Sequence, residues 1–226
     1  MDLKNRAQAV HKKLLMAFGQ PEWRNPLPPL DELISTILSQ NTNDNNRDRA
    51  FQALLQRFPT WEGVRDADEQ AVIDAIRPAG LGNQKGPRIQ NVLREITQQR
   101  GELSLDFLST MPDSEALEWL MSFKGVGPKT ASIVLLFSLG KPAFPVDTHI
   151  YRVSGRLGLR PKNMNADQAH NHLGNLFPPE SYYAAHLNLI RLGREVCQAR
   201  RPNCPACPLQ ELCEYFLITQ MEGNAQ

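Results

Sequence analysis

The chain has 226 residues, 41% hydrophobic and 22% charged, enough to bury a substantial core in one large domain or two small ones. A net charge of +1 carries no overall signature of nucleic-acid binding. No uninterrupted apolar run exceeds that of Ile133 to Phe137, far too short to cross a bilayer. At the start, Lys4, Arg6, Lys12 and Lys13 precede Leu14 to Phe18, an apolar stretch too short for a secretory core and with no small-residue cleavage site after it. It reads as the amphipathic first helix of a cytoplasmic protein with no membrane segment.

Farther along, no segment alternates strictly as an exposed strand does, and helical spacing recurs nearly everywhere. Leu30, Leu33, Ile34, Ile37 and Leu38 mark one helix; Phe51, Leu54, Leu55 and Phe58 mark the next. Ile89, Val92, Leu93 and Ile96 follow the same period, as do Ala166, Ala169, Leu173, Leu176 and Phe177. The pattern predicts an all-α fold of roughly ten short helices and no sheet. Boundaries fall at the proline-rich stretch before Pro29 and in the loop from Gly140 to Pro145. They divide the chain into residues 26–141 and a second unit of 1–25 with 142–226, if the first helix returns to pack with the C-terminal part. Charge is segregated along the chain. Arg77 to Arg100 and Lys141 to Lys162 are basic, whereas Glu62 to Asp74 is acidic, a pattern that can give one basic face on a nearly neutral protein.

Two polar turns interrupt the apolar pattern. Ser39 to Asn46 is rich in side-chain amides, including Gln40 and Asn41, which can pair with base edges or fill a gap in a base stack. It also reads as an ordinary capped turn. Gly80 to Lys85 sets Leu81 between two glycines, where an exposed leucine could act as a wedge or simply tuck into the core.

The richest stretch runs from Phe123 to His149. Gly125, Val126 and Gly127 form a tight turn, followed by a helix opening at Pro128 and Lys129. Bare N–H groups beside a helix N-terminus suit a phosphate. Lys129 falls in the first turn, where the helix dipole disfavours an ammonium, and a lysine with an available amine can act as a covalent nucleophile. Eighteen residues on, Asp147 could move a proton or steady positive charge, and it also reads as the N-cap of a helix beginning at Thr148.

All four cysteines lie close together, at Cys197, Cys204, Cys207 and Cys213. Such clustering without a secretory signal argues for a metal rather than disulfides, with zinc and an iron–sulfur cluster both open. Just before and within this segment, Arg191, Arg194, Arg200 and Arg201 could meet phosphates.

Together these motifs resemble the endonuclease III family of DNA glycosylases. The residues Gly125 to Ala131 look like its helix–hairpin–helix, Val146 to Ile150 like its Gly/Pro-Asp motif, and the cysteine spacing like its 4Fe–4S pattern. The resemblance covers Leu30 to Cys213. It implies a six-helix barrel domain at 26–141 bearing the hairpin, and an iron–sulfur domain from 1–25 and 142–226. It implies a bifunctional DNA glycosylase/AP lyase acting as a monomer on damaged double-stranded DNA in the nucleoid, removing oxidised pyrimidines and cutting by β-elimination. Lys129 would be the nucleophile and Asp147 the catalytic carboxylate, with Cys197, Cys204, Cys207 and Cys213 holding the cluster. Asn41 stands where the family commonly has a glutamine wedge, Gln40 precedes it, and Leu81 matches a second intercalating residue. The rivals are a monofunctional mismatch glycosylase, which generally lacks the lysine, and a catalytically silent DNA-binding protein.

Overall fold

The computed structural model describes residues 1–223, whose regular elements are all helical, with no strand among them. They form twelve α-helices and five short 3-10 turns, against the roughly ten helices the periodicity predicts. The surplus lies in helices too short to show a period, such as the six-residue Trp61–Asp66. The chain divides into two compact units, Pro26–Lys141 and Met1–Asn25 with Pro142–Gln226.

The unit Pro26–Lys141 contains α2 (Pro29–Ser39), α3 (Asp44–Arg57), α4 (Trp61–Asp66), α5 (Glu69–Ala75), α6 (Gly82–Arg100), α7 (Asp113–Met121) and α8 (Pro128–Leu139). Helix α2 starts with a proline in its first turn, followed by Asp31 and Glu32, both favoured at a helix N-terminus. Its Leu30, Leu33, Ile34, Ile37 and Leu38 are all buried, and it packs on α8, α3 and α6. Helix α8 is buried around most of its circumference, its small residues and the apolar run from Ile133 to Phe137 leaving no continuous polar face. Each fully buried leucine or isoleucine here contributes about 1.5–3 kcal/mol. Helix α6 lies close against α5 because Gly82 and Gly86 face Ile73, where a Cβ would come within 3.1 and 2.8 Å of its side chain. The buried Gln90 amide donates to Val64 O at 3.0 Å and Ala67 O at 2.9 Å, tying α6 to the end of α4.

The other unit contains α1 (Leu3–Phe18), α9 (Thr148–Arg156), α10 (Ala166–Gly174), α11 (Tyr182–Glu195) and α12 (Glu214–Gly223). Helix α11 is its centre, packed by both α9 and α1. The N-terminal segment is bound to α11 by polar contacts: Asn188 donates to Gly19 O at 3.1 Å, Tyr183 Oη to Glu22 O at 2.9 Å, and Trp23 stacks on Tyr183. Arg6 on α1 pairs with Glu214 at the start of α12. Among the described residues, no helix is long and apolar enough to cross a membrane.

Candidate functional site

The glycine turn joins α7 to α8. Gly125 has φ +88°, and the Arg88 side chain lies where its Cβ would be, so this position admits glycine on two counts. Gly127 differs: at φ −97° and ψ 179° it is ordinary extended backbone, with open space around it. The sharp bend therefore belongs to Gly125 alone, while Gly127 is the N-cap of α8 and supplies no capping side chain. The N–H groups of the first turn are left without a side-chain acceptor from the cap. Val126, between the two glycines, is buried and donates its N–H to Phe123 O at 3.0 Å. Lys129 follows as the second residue of α8 and is half-buried.

Asp147 belongs to the other unit. It caps α9, its Oδ1 accepting the Ile150 N–H at 2.7 Å, so the cap reading of the sequence is correct whatever else the residue does. The loop before it is packed inward: Phe144, Pro145 and Val146 are buried, and the buried His186 donates from Nδ1 to Pro145 O at 2.9 Å.

The amide-rich turn is divided in its roles. Gln40 is engaged at both ends of its side chain, its Oε1 accepting from Arg88 Nη1 at 2.5 Å and its Nε2 donating to Gly125 O at 3.2 Å. Asn41, the next residue, is exposed and has φ +54°. Leu81 is 45% exposed with φ +53°. These two are the only non-glycine residues with positive φ among the described residues. Left-handed backbone costs an L-residue about 1–2 kcal/mol, and such strain concentrates at functional positions. Asparagine tolerates that conformation, whereas leucine has no side-chain hydrogen bond to offset it.

The four cysteines line one small cavity, together with Arg156. Arg156 Nη1 lies 3.3 Å from Cys197 Sγ, and its guanidinium also donates to Gln198 O at 2.7 Å and Ala199 O at 2.8 Å. One turn earlier on α9, Arg152 donates to Cys197 O at 3.1 Å and Gly193 O at 2.8 Å. Burial pushes the Cys207 and Cys213 thiols up, and the neighbouring cysteines add to the effect. Four thiolates could share this cavity only with a cationic group between them. Around a single zinc, with Zn–S of about 2.3 Å, sulfurs crowd to about 3.8 Å from one another. No three His, Cys, Asp or Glu side chains among the described residues are gathered into such a mononuclear set.

Of the arginines, Arg191 is committed within the chain: it donates to both carboxylate oxygens of Glu195, at 3.0 and 3.1 Å, and lies over the Phe18 ring. Arg194, Arg200 and Arg201 are exposed. The sequence reading passed over Arg152 and Arg156, although their spacing of four residues on a short helix was a usable signal. It also passed over Lys85 and Arg88. Lys85 is only 1% exposed, a rare place for a lysine, and burial pushes its ammonium down from the ordinary range, with Arg88 adding to the shift.

Residues 34–179 match the model of the HhH-GPD superfamily of base excision DNA repair proteins. The chain is 35% identical over 219 residues to an endonuclease III of Sulfolobus acidocaldarius, covering 96% of this chain and 94% of that one. It is 37% identical over 174 residues to a relative from Arabidopsis thaliana, covering 77% of this chain but only 59% of that longer protein. Its fold is similar to that of a trapped endonuclease III–DNA covalent intermediate, an estranged-adenine complex, with a TM-score of 0.82, 27% identity, and 97% and 100% of the two chains covered. The chain thus belongs to the HhH-GPD superfamily of base excision DNA repair proteins and, within it, to the endonuclease III family.

Proposed function

We propose that this DNA glycosylase/AP lyase of base excision repair removes oxidised pyrimidines from double-stranded DNA and cuts the abasic site through a Schiff base on Lys129. The observation that carries this reading is Lys129 itself, half-buried at the second position of α8, directly behind a helix N-terminus that no side chain caps. The uncapped N–H groups hold a backbone phosphate, independent of sequence. A damaged pyrimidine stacks poorly and leaves the helix more readily than a sound base. The Lys129 amine attacks C1′ as the glycosidic bond breaks, its electron pair leaving with the base, which takes up a proton. The sugar ring opens to the iminium; loss of a C2′ proton then expels the 3′-phosphate, and the strand is cut on the 3′ side of the abasic site.

Asp147 is the carboxylate of this chemistry. One oxygen is fixed by the α9 cap, which orients the other to receive a proton or stabilise the cationic sugar. Asn41 and Leu81 enter the duplex, while Gly125, Val126 and Gly127 grip phosphate and Arg194, Arg200 and Arg201 add phosphate contacts. Gln40 adds to this binding while bracing the hairpin through Arg88 and Gly125, and Arg191, tied to Glu195 and Phe18, adds a further phosphate contact. Cys197, Cys204, Cys207 and Cys213 would hold a 4Fe–4S cluster, whose contribution is to pin the loop carrying Arg200 and Arg201. The protein works as a monomer on nucleoid DNA, with an affinity that falls steeply as salt rises.

The test is borohydride trapping on an abasic-site duplex and on a duplex carrying an oxidised pyrimidine. Wild type should form a covalent adduct with both, and Lys129→Gln with neither, while keeping its duplex affinity. Base release without an adduct would place the protein among monofunctional glycosylases, and an adduct retained in Lys129→Gln would remove that lysine from the nucleophile role.

A further inference from the structure

Asn41 and Leu81 are separated by forty residues of sequence, yet their turns meet on one buried side chain. Lys85 Nζ donates to Leu38 O and to Ala79 O, each at 2.8 Å. Leu38 lies three residues before Asn41, in the last turn of α2, and Ala79 lies two residues before Leu81. The backbone N–H of Lys85 donates to Leu81 O at 3.0 Å, and that of Gln84 to the same oxygen at 2.9 Å. An ammonium has three donors and no acceptor, and two of them are spent here on the carbonyls that lead into the two strained residues. Lys85 forms no ion pair among the described residues. Its charge is compensated by carbonyl oxygens, including one from the C-terminal end of α2, where the helix dipole favours a cation. Burying an ammonium on these terms is costly and easily replaced by apolar packing, which argues for a geometric role rather than a stabilising one.

One turn further along α6, Arg88 extends the same connection. Its Nη1 donates to Gln40 Oε1, Gln40 passes a hydrogen bond from Nε2 to Gly125 O, and the Arg88 side chain fills the space beside Gly125 that a Cβ would need. Helix α6 thereby touches the turn of Asn41, the turn of Leu81 and the hairpin before α8.

We propose that Lys85 and Arg88 are positioning residues that hold Asn41 and Leu81 in fixed register with each other and with the phosphate-gripping hairpin, so that both enter the DNA as one rigid fork. This rests on the reading above that Asn41 and Leu81 enter the duplex. Neither Lys85 nor Arg88 needs to touch DNA for this role.

The test compares Lys85→Met, Arg88→Leu and the wedge variants Asn41→Ala and Leu81→Ala, using a duplex with 2-aminopurine beside a stable abasic analogue. Wild type should unstack the reporter and raise its fluorescence on binding. Lys85→Met and Arg88→Leu should each lose most of that rise and lower the preference for lesion over undamaged duplex at least tenfold. Binding to undamaged duplex and borohydride trapping on a single-stranded abasic oligonucleotide, which needs no wedge, should stay within twofold of wild type. A merely structural role would lower all four readouts together, and that result overturns the proposal. So does an unchanged fluorescence rise in both variants. If Lys85→Met does not fold, the half-exposed Arg88→Leu decides alone. If Asn41→Ala and Leu81→Ala themselves leave the fluorescence unchanged, the wedge reading fails, and the fork with it; if they abolish it while the α6 variants do not, only the fork fails.

Discussion

The hairpin before α8 and the cysteine segment after α11 are held by opposite means. Behind the hairpin lies α8, buried on nearly every side against α2 and α7. The cysteine segment has only two three-residue 3-10 turns, at Cys204–Ala206 and Gln210–Leu212, and little apolar material of its own beyond Leu209. Its shape comes from two arginines on α9 grasping carbonyls, and from four thiols converging on one cavity. The first is shaped by close packing and keeps its form unaided. The second is shaped by polar staples, to which the proposed cluster would add.

The most severe break in this contrast should come from the cysteines. In Cys213→Ser, or after chelation, amides from residues 196 to 219 are expected to exchange at least about a hundredfold faster, while those of α2 and α8 keep their protection. Equal loss in both units would mean that the hairpin is not independent of the cysteine segment. Next in size is Asp147. Asparagine caps helices as well as aspartate does, so Asp147→Asn should melt within a degree or two of wild type yet lose about 10²–10⁴-fold in turnover. Asp147→Ala should lose the same activity and about 1 kcal/mol of stability besides, as read by denaturant titration.

A smaller effect separates the two glycines of the hairpin. Gly125→Ala must place a Cβ at φ +88° against Arg88, and should cost about 1–2 kcal/mol and weaken duplex binding. Gly127→Ala sits in ordinary backbone with open space, so its fold should be unaffected, and any loss of binding would come from the new methyl group at the phosphate site. The smallest concerns acid. Burial holds the His11 imidazole below its ordinary 6.5, and its Nδ1 has no partner among the described residues. The folded state favours the neutral ring, so this contribution is whole above pH 6.5 and is lost as pH falls through the lower folded value. His11→Gln should therefore show a shallower fall in Tm below that pH than wild type.

What the sequence discloses is what local chemistry dictates. The glycine turn with Pro128 and Lys129, and the Asp147 cap, are each written within a few residues, and α8 and α9 begin where those signals put them. The engagement of Gln40 with Arg88 and Gly125 is a contact across 48 and 85 residues, which no local pattern encodes. Lys85 was hidden for a further reason: a lysine reads as solvent-facing by default, and only the two carbonyls it meets distinguish it. Arg191 shows the converse: its pairing with Glu195, four residues on, is a local contact that the helical spacing makes legible.

The left-handed backbone at Asn41 and Leu81 bears on how quickly such a protein could patrol a genome. In the proposed fork α6 holds both residues in that conformation, so an encounter with a base step would need no loop to reorganise, and the dwell time at each step would be set by the DNA's own breathing. A sound pair resists and is passed over; a lesion that already unstacks yields to a probe that is waiting. Surveillance is then paced by the weakness of the substrate rather than by any motion of the protein.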